Sequence, residues 1–331
     1  MTNVQFTKRH TLISGLFGGL FAAALLWPAA AAAFPDKTIE WVVPYPAGGG
    51  SDVVARTLAE AMGRSLGQTI VINNKPGAAT NIGADYVAKA KADGHVVLTA
   101  DTATLAANPA LYTKLSYNAE KDLAPVGLMA RFPLILVVNA NVPVKTLPEF
   151  LAWARKQEGG VNFASPGAGS PHHLAAELFR ERSGLKLTHV PYRGAAPAVQ
   201  DVVGGQVPFM FVDTAAGYAH IMSGKLRGIA VASAKRVKGF ETVPTFNEQG
   251  LKSFEAFAWQ GLVVPAGTPP QAIAALNKAL LAALDSTVVK ARFQVLGLEA
   301  TPSTPAQMVA YAQAERAKWG QVIRASNIRL D

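Results

Sequence analysis

The 331-residue sequence contains no cysteine, and this absence excludes several classes of chemistry. A chain without thiols has no disulfide scaffold, thiolate metal site, cysteine nucleophile, iron–sulfur cluster or cysteine-linked lipid anchor. Charged residues make up only 16% of the chain, whereas hydrophobic residues make up 50%. This balance is typical of a globular protein with enough apolar side chains for a core, and it excludes a disordered or fibrous chain.

The first 33 residues have the features of a signal peptide. Lys8-Arg9 precedes an apolar run over Leu12–Leu26, and Ala31–Ala33 supplies the small residues that a signal peptidase recognises. The run and the alanines together are long enough to span a bilayer, so a retained membrane anchor is the alternative. Pro28 and the small residues favour cleavage before Phe34. The sequence therefore predicts export to the periplasm of a Gram-negative cell.

The basic excess does not indicate nucleic-acid binding. The chain has 31 basic and 22 acidic residues, a net charge of +9, and removing the two basic residues of the leader lowers this to +7. The basic residues are scattered as singles and pairs such as Lys235-Arg236, with no basic run interleaved with aromatic residues. We therefore predict no nucleic-acid partner, and regard small anions or anionic membrane surfaces as the accessible partners.

The mature chain repeats a strand–loop–helix unit, which predicts an α/β fold with parallel strands. A strand at residues 39–43 precedes a glycine-rich loop, and Ser51-Asp52 is the predicted cap of the helix that follows. The pattern starts again after the apolar strand at residues 134–138. The last 70 residues turn helical, with starts predicted at Thr268, with its prolines, and at Thr304-Pro305. A mature length of 298 residues predicts two similar lobes.

Two glycine-rich loops, at residues 44–50 and 165–170, each lie between a predicted strand and a predicted helix. Main-chain N–H groups and the positive end of the helix dipole favour an anion there. Each loop alone is equally well explained by turn geometry, but one loop in each half favours a small anion held between two lobes. The predicted ligand-binding residues are Tyr45, Pro46, Ala47, Gly48 and Gly49 in the first loop and Ser165, Gly167, Ala168, Gly169 and Ser170 in the second.

Other polar residues follow predicted strands, at the sheet edge where ligands bind in α/β proteins. Thr102, Ala103 and Thr104 follow one strand, and Asp213 follows another. We expect Asp213 to orient either a ligand hydroxyl or amine, or a loop N–H. Tyr192 follows another predicted strand and His172 follows the second loop, and both are further candidates. Arg193 is interpreted as either a carboxylate partner or, preferably, a surface residue.

Motifs for catalysis and cofactor binding are missing. Val53 and His172 stand where a dinucleotide-binding fingerprint has its third glycine, and no phosphate-binding Gly-Lys-Ser/Thr loop occurs. Ser51 lacks the flanking pattern of a hydrolase nucleophile and is interpreted as a helix cap. His172 and His173 are adjacent, so on a helix they point about 100° apart and do not chelate one metal. We predict no catalytic residue, cofactor or metal.

Five segments together resemble the periplasmic substrate-binding proteins of tripartite tricarboxylate transporters, also called the Bug family. They extend over nearly the whole mature chain in order and spacing, which makes the joint match far more specific than either loop. The segments are Val43–Asp52, Asn74–Ala78 with Asn81–Gly83, Asn108–Tyr112, His189–Gly194 and Pro265–Pro269.

The resemblance implies a two-lobed type II periplasmic-binding-protein fold that closes on its ligand. Lobe 1 would comprise residues 34–133 and 258–331, and lobe 2 residues 134–257. The implied ligand is a small organic acid or amino acid, with one carboxylate on main-chain N–H groups and hydroxyls of Ser165–Ser170. Its far carboxylate would be reached through water from Tyr45–Gly49. The implied partners are inner-membrane permease subunits, and we expect a monomer.

The sequence departs from the family pattern at two places. Val212-Asp213 replaces an Asp that is followed by Asn or Ser, and Pro171-His172-His173 replaces a small or Thr-rich segment. Because both places border the expected pocket, the ligand could be a carboxylate, dicarboxylate, acidic amino acid or aromatic acid. A ligand sensor that docks on a sensor kinase, and an exported enzyme acting on an organic acid, are the alternative functions.

Overall fold

The computed structural model describes residues 1–5 and 34–330. The signal peptide predicted from the sequence falls mostly on residues 6–33, which lie outside the described residues. From Phe34 onward the chain forms one compact unit, and the description below concerns that unit.

Strands and helices alternate through most of the unit. The strands are β1 (Ile39–Val43), β2 (Ile70–Asn74), β3 (Val96–Asp101), β4 (Leu123–Asn139), β5 (Val161–Ser165), β6 (Leu187–Pro191), β7 (Phe209–Asp213), β8 (Leu226–Val231), β9 (Phe257–Pro265) and β10 (Glu299–Ala300). The helices are α1 (Gly50–Leu66), α2 (Asn81–Ala88), α3 (Asn108–Leu111), α4 (Leu147–Arg155), α5 (Pro171–Ser183), α6 (Ala195–Val203), α7 (Thr214–Met222), α8 (Pro270–Asp285), α9 (Thr287–Val295) and α10 (Pro305–Ala325).

The strand β4 joins two groups of strands into one sheet. The strand order is β2-β1-β3-β9-β4-β7-β5-β6, and β8 and β10 also pair with β4. Up to Pro133, β4 pairs with β9, and from Leu134 onward it pairs with β7. We call the strands on the two sides of this change the first half-sheet (β1, β2, β3, β9, β10) and the second half-sheet (β5, β6, β7, β8).

The register of β4 shows that the carboxyl ends of strands in the two half-sheets point toward each other. Strands β1, β2 and β3 are mutually parallel, as are β5, β6 and β7. Asp101, at the end of β3, is level with Gln260 of β9, which is level with Ala130 of β4. Asp213, at the end of β7, is level with Leu134 of β4 and approaches from the opposite direction. Four residues of strand, about 13 Å, separate the two levels.

Three clusters of buried apolar side chains in the described unit form the core. One lies under the first half-sheet and includes Trp41, Leu58 and Leu276. Another lies in the second half-sheet around Ile135 and Met210. The largest spans both half-sheets and is rich in phenylalanine, with several rings in edge-to-face contact. This shared cluster explains why the unit is compact although its sheet has two halves.

Some predicted helix caps are confirmed and others are wrong. Ser170 accepts a hydrogen bond from the N–H of His173, and Thr304 forms a capping box with Gln307. The cap predicted at Ser51-Asp52 is wrong, because Gly49 is the N-cap and both residues lie inside α1. The helix start predicted at Thr268–Gln271 is confirmed, because α8 begins at Pro270, but Thr268 is not its cap, since its hydroxyl donates to the carbonyl of Pro265.

Neither the helix α9 nor the short strand β10 is predicted from the sequence. Within residues 1–5 and 34–330, no single helix is both long and apolar enough to cross a membrane. The pair α8 and α9, bent by 65°, reaches that threshold only when both helices are taken together.

Candidate ligand-binding site

The first glycine-rich loop connects β1 to α1 at the end of the first half-sheet. Tyr45 is half-buried, whereas the four residues from Pro46 to Gly49 are exposed. The N-cap residue Gly49 provides no side-chain cap, so the first-turn N–H groups of α1 keep their capacity to bind an acceptor. Gly48 has φ +81°, a left-handed conformation that glycine adopts without strain.

The buried carboxylate of Asp52 fixes the shape of this loop. It accepts hydrogen bonds from the N–H of Gly48 at 2.9 Å, from Arg56 at 2.9 Å and from Asn74 at 2.9 Å. Burial raises the pKa of Asp52, but these hydrogen bonds outweigh it and lower the pKa from its ordinary value. The ionised carboxylate therefore holds the loop to the first turn of α1. Asn74 also donates to the carbonyl of Tyr45 at 3.0 Å.

Tyr45 is linked to the end of β3 through its hydroxyl, which donates to Asp101. The other oxygen of Asp101 accepts from the N–H and the hydroxyl of Thr104 at 2.9 and 2.8 Å. Burial raises the pKa of Asp101, and the hydrogen bonds from Thr104 and Tyr45 offset part of that effect. Burial and the nearby Asp101 also raise the pKa of Tyr45 well above its ordinary value. Tyr45 therefore remains a hydrogen-bond donor.

The segment after β3 is a π-helical turn over Thr102–Ala107, and Thr102, Ala103 and Thr104 are buried. The hydroxyl of Thr102 accepts from the N–H of Trp259 at 3.2 Å, and that of Thr104 lies 3.0 Å from the hydroxyl of Thr80. Both predicted hydroxyls thus already have partners within the protein. Their contact with a ligand stays a prediction.

The second glycine-rich loop connects β5 to α5 at the end of the second half-sheet. Ser165 is fully buried, and its hydroxyl accepts from the N–H of Gly167 at 3.1 Å and lies 2.6 Å from Nε2 of His189. Nδ1 of His173 accepts from the N–H of Gly169 at 3.0 Å. Two histidines therefore hold the loop in place: His189 contacts the hydroxyl of Ser165, and His173 accepts from the N–H of Gly169.

The rings of His173 and His189 stack with their centroids 3.7 Å apart, and His189 also stacks on Phe163. Burial, followed by the proximity of His173, lowers the pKa of His189 to about 3, so its ring is uncharged at neutral pH. Sequence reasoning did not select His189 as a site residue. Its place in the segment His189–Gly194, which resembles the family, is the signal that could have identified it.

The start of α5 offers hydrogen-bond donors. Ser170 caps the N–H of His173, but within the described residues the N–H groups of Ala168 and His172 make no main-chain hydrogen bond. Gly169 has φ +75°, and a Cβ there would lie 2.4 Å from Leu111. Glycine is therefore required at this position by both conformation and space.

Asp213, which is half-buried, and His172, which is buried, form a pair beside the second loop. One carboxylate oxygen of Asp213 accepts from the N–H of Ala216 at 2.9 Å and caps α7, and the other lies 3.2 Å from Nε2 of His172. Burial raises the pKa of Asp213, but the hydrogen bond from His172, together with the charge that this ring carries when protonated, outweighs it and lowers the pKa. Nδ1 of His172 is buried and has no hydrogen-bond partner in the described part of the chain.

Tyr192 is placed beside the second loop by its main chain. Its N–H donates to the carbonyl of Ser165 at 2.9 Å, whereas its hydroxyl donates to Asp201 in α6 at 2.7 Å. Arg193 is exposed, in agreement with its preferred interpretation as a surface residue. The structure therefore brings Tyr192 to the loop, but commits its hydroxyl to a neighbouring helix.

Gln260 of β9, in the first half-sheet, is a further polar residue that is not selected from the sequence. Its amide nitrogen donates to the hydroxyl of Ser51 at 2.5 Å, and its Oε1 is buried with no partner among the described residues. The side chain is 5% exposed, on the strand position level with Asp101. A glutamine inside the apolar run of β9 is the sequence signal that could have identified it.

The two loops are suited to a small anion. Each lies at the carboxyl end of a strand and at the N-terminus of a helix, where free N–H groups and the helix dipole attract negative charge. Neither loop contains lysine or arginine, so recognition would depend on main-chain donors. Two surface cavities lie elsewhere: one of about 310 Å³ beside Arg180 and Ser326, and one of about 470 Å³ along α8 and Pro305.

Residues 54–328 match the family model described as the tripartite tricarboxylate transporter family receptor. The chain belongs to this receptor family. The resemblance inferred from the five sequence segments is thereby confirmed. The match includes the second glycine-rich loop, Asp213 and β9, whereas the first glycine-rich loop lies before the first matched residue.

Relatives of this receptor family match nearly the whole chain. Protein BugT of Bordetella pertussis is 36% identical over 323 residues, which are 97% of this chain and 98% of BugT. The solved structure of R. palustris Rpa4515 with adipate has a TM-score of 0.84 and 31% identity, covering 89% of this chain and 99% of that one. The periplasmic binding protein BugD has a TM-score of 0.81 and 32% identity, covering 89% and 99%.

These likenesses confirm the predicted fold class, a two-lobed α/β periplasmic-binding-protein fold. The family is one of substrate-binding receptors rather than enzymes. A substrate-binding role agrees with the main-chain N–H donors at the starts of α1 and α5, which are suited to binding an anion.

Proposed function

We propose that the protein is a periplasmic receptor that binds a small organic acid between two lobes and delivers it to a tripartite tricarboxylate-type permease. The observation that carries this proposal is the register of β4, which brings the carboxyl ends of β3 and β7 toward each other. A glycine-rich loop and a helix N-terminus accompany each end. One acid contacting both loops would satisfy donors on both sides.

The lobes are the two parts predicted from the resemblance. Lobe 1 comprises residues 34–133 and 258–331, and lobe 2 comprises residues 134–257. The change of partners of β4 between Pro133 and Leu134 supports this division. The return of the chain through β9, whose pairing with β4 begins at Phe257, supports the second boundary.

Binding would act by shifting a population. A ligand that contacts both lobes binds the closed state more tightly than the open state, and therefore favours closure. The permease would then recognise the closed form. This function breaks no bond, so it needs neither a general base nor an activated nucleophile.

The ligand class is a carboxylate or dicarboxylate, with acidic amino acids and aromatic acids included. Adipate, the acid bound to Rpa4515, supports this choice because that relative covers most of the chain. The residues that would hold the acid are the predicted ligand-binding residues of the two loops together with Thr102, Ala103, Thr104, His172, Tyr192 and Asp213. Water would mediate the contacts of the first loop.

The leader is part of the proposal. Residues 1–33 would direct export and be removed after Ala33. The N-terminal sequence of the protein isolated from the periplasm tests this directly, and a first residue of Phe34 is expected. Recovery of the uncleaved chain in the membrane fraction would contradict it and favour the retained anchor.

Thermal unfolding against a panel of mono-, di- and tricarboxylates, acidic amino acids and aromatic acids tests the receptor role. An acid at about 100 times its dissociation constant adds roughly 2.7 kcal/mol to the free energy of unfolding. We expect stabilisation by at least one acid, with the acid recovered unchanged. Consumption of the acid would favour the enzyme alternative, and no stabilisation by any acid would overturn the ligand class.

Delivery to a permease is tested in cells. Deletion of the gene is expected to abolish uptake of the stabilising acid, and the intact gene is expected to restore it. Unchanged uptake together with a lost transcriptional response to the acid would instead favour the sensor-kinase alternative.

A further inference from the structure

We propose that His172, oriented by Asp213, selects acids that carry a hydrogen-bond donor on the carbon next to the carboxylate. The inference rests on the proposed function and names the ligand class more closely. The predicted ligand is a 2-hydroxy acid or a 2-amino acid, because a hydroxyl and an ammonium group both supply the required donor.

The hydrogen bond to Asp213 decides which nitrogen of His172 carries the proton. An ionised carboxylate only accepts hydrogen bonds, so Nε2, at 3.2 Å from Asp213, must be the donor. In the neutral ring Nδ1 is then an acceptor. Asp213 is itself fixed, because its other oxygen caps α7 through the N–H of Ala216. The orientation of the His172 ring is therefore set by its place on α5 and by the Asp213 carboxylate at the start of α7.

Nδ1 of His172 is buried and has no partner in the described part of the chain, in a residue that is 8% exposed. A buried acceptor without a donor costs free energy, and such atoms in proteins normally meet a partner in the functional state. A donor on the ligand would supply that partner. This requirement distinguishes the pocket from one that binds only carboxylates.

The position of His172 sets where the donor must be on the ligand. It is the second residue of α5, and its own N–H is one of the two free donors at the helix start. Side chains on a helix tilt toward the N-terminus, so the ring and the N–H both project toward the second loop. A carboxylate on the N–H groups of Ala168 and His172 would thus place its adjacent carbon beside Nδ1.

Isothermal titration of the purified, ligand-free protein tests this inference with three series of acids. The series are propionate, lactate and alanine; succinate, malate and aspartate; and adipate, 2-hydroxyadipate and 2-aminoadipate. Within each series only the group on the second carbon changes. In the series that binds best, we expect the hydroxy or amino acid to bind at least about tenfold more tightly than the unsubstituted acid.

Two substitutions examine the role of the ring. In His172→Gln the amide reaches the position of Nε2 and can donate to Asp213, but Nδ1 is lost. We expect the affinity ratio between substituted and unsubstituted acid to fall to within about threefold. His220→Gln, on α7 but at its far end, is the matched control and should keep the ratio of the native protein.

Asp213→Asn tests whether the carboxylate sets the direction of the hydrogen bonds. Asparagine is as good a helix cap as aspartate, so α7 should remain intact. Its amide would donate to Nε2 and leave the proton on Nδ1, which becomes a donor. We therefore expect this variant to lose the preference for hydroxy and amino acids. Retention of the native preference would show that Asp213 does not set the tautomer and would overturn the inference.

The outcomes separate this inference from the proposed function. Equal affinities within every series, or an equal loss for all members in His172→Gln, would overturn the role of His172 and leave the receptor intact. Failure of all nine acids to bind would overturn the inference about His172, and it would contradict the proposed function only if the tricarboxylates and aromatic acids of the thermal-unfolding panel also failed to stabilise the protein.

Discussion

Three histidines lie close to the second glycine-rich loop, and each has a different task. His172 contacts Asp213, His173 accepts from the N–H of Gly169, and His189 lies beside the hydroxyl of Ser165. The sequence correctly indicates that His172 and His173 point apart, because the helical period separates adjacent side chains. It does not indicate the stacking of His173 on His189, since that contact depends on how α5 packs against the strand that follows it, β6.

Glu177 is the charged residue that supports this stack from α5. Its carboxylate lies 3.6 Å from Nε2 of His173 and 2.7 Å from Arg180. Burial raises the pKa of Glu177, but the hydrogen bonds from His173, Arg180 and Ser326 outweigh it and lower the pKa to about 2. The unfolded chain therefore binds a proton at this residue before the folded chain does.

We expect Glu177 to make the stability of the protein acid-sensitive. A folded pKa of about 2 against an unfolded value near 4.3 corresponds to about 3 kcal/mol, fully present above roughly pH 5 and lost as the pH falls through 2. Glu177→Gln should remove this part of the pH dependence. Denaturant unfolding at a series of pH values from 7 to 2 measures it.

The control for that prediction is Glu181→Gln, one turn further along α5 at an exposed position. It should keep the steep loss of stability in acid, because an exposed carboxylate contributes little. Identical pH profiles for the native protein and Glu177→Gln would contradict the assignment of the acid-sensitive step to this carboxylate.

At the scale of elements, the helix starts differ in how they are capped. Both α5 and α10 begin with a serine or threonine cap followed by proline, a combination that the sequence shows directly. In contrast, α1 begins after a glycine, and Asp52 hydrogen-bonds backward to Gly48 from inside the helix. The incorrect cap prediction at Ser51-Asp52 follows from this difference, because an aspartate can satisfy the loop from the first turn as well as from the cap.

Removing either side-chain cap should cost a similar free energy but affect binding differently. Ser170→Ala and Thr304→Ala are each expected to lower the free energy of unfolding by about 1 kcal/mol. Ser170 belongs to the second loop, so its substitution should also weaken binding of the stabilising acid. Thr304→Ala should leave the affinity unchanged. Denaturant unfolding and calorimetric titration measure the two effects, and an equal effect on affinity would contradict the site.

The strand β4 shows what limits prediction of the elements. Sequence patterning indicates only residues 134–138, whereas the strand spans Leu123–Asn139. Pro125, Gly127 and Pro133 interrupt the apolar run, and these residues ordinarily argue against a strand interior. In the structure the pairing with β9 shifts register between Pro125 and Gly127 and again between Leu128 and Ala130. The irregular pairing of β4 with β9 accommodates these prolines and the glycine. That pairing depends on a strand distant in the chain, so a local sequence pattern does not predict it.

The candidate site was predictable where it depends on local signals. Strand ends followed by glycines and caps indicated the two loops and Asp213. Gln260 and His189 were not indicated, because strand pairing brings each to the site: Gln260 lies on β9, which is distant in the chain and pairs with β3, and His189 lies on β6, which pairs with β5. Thr102 and Tyr192 are predicted site residues, but the partners of their hydroxyls, Trp259 and Asp201, are set by packing and helix placement.

At the scale of the whole molecule, the division into lobes coexists with a shared core. The continuous strand β4 and the largest apolar cluster connect both half-sheets. A hinge at the change of partners near Leu134 would let the lobes rotate while the apolar clusters that belong to one half-sheet keep their packing. Motion of the lobes as rigid bodies is therefore the expectation, with distances inside a lobe preserved.

The absence of cysteine allows this motion to be measured with spin labels at introduced cysteines only. Glu60→Cys on α1 and Glu181→Cys on α5 place labels on different lobes, and both positions are exposed. Glu60→Cys with Lys278→Cys on α8 is the matched pair within lobe 1, where α1 and α8 share one apolar cluster. Addition of the stabilising acid should shift and narrow the distance distribution of the first pair, because binding favours the closed state, and leave the second unchanged. A change within lobe 1, or none between the lobes, would contradict closure about β4.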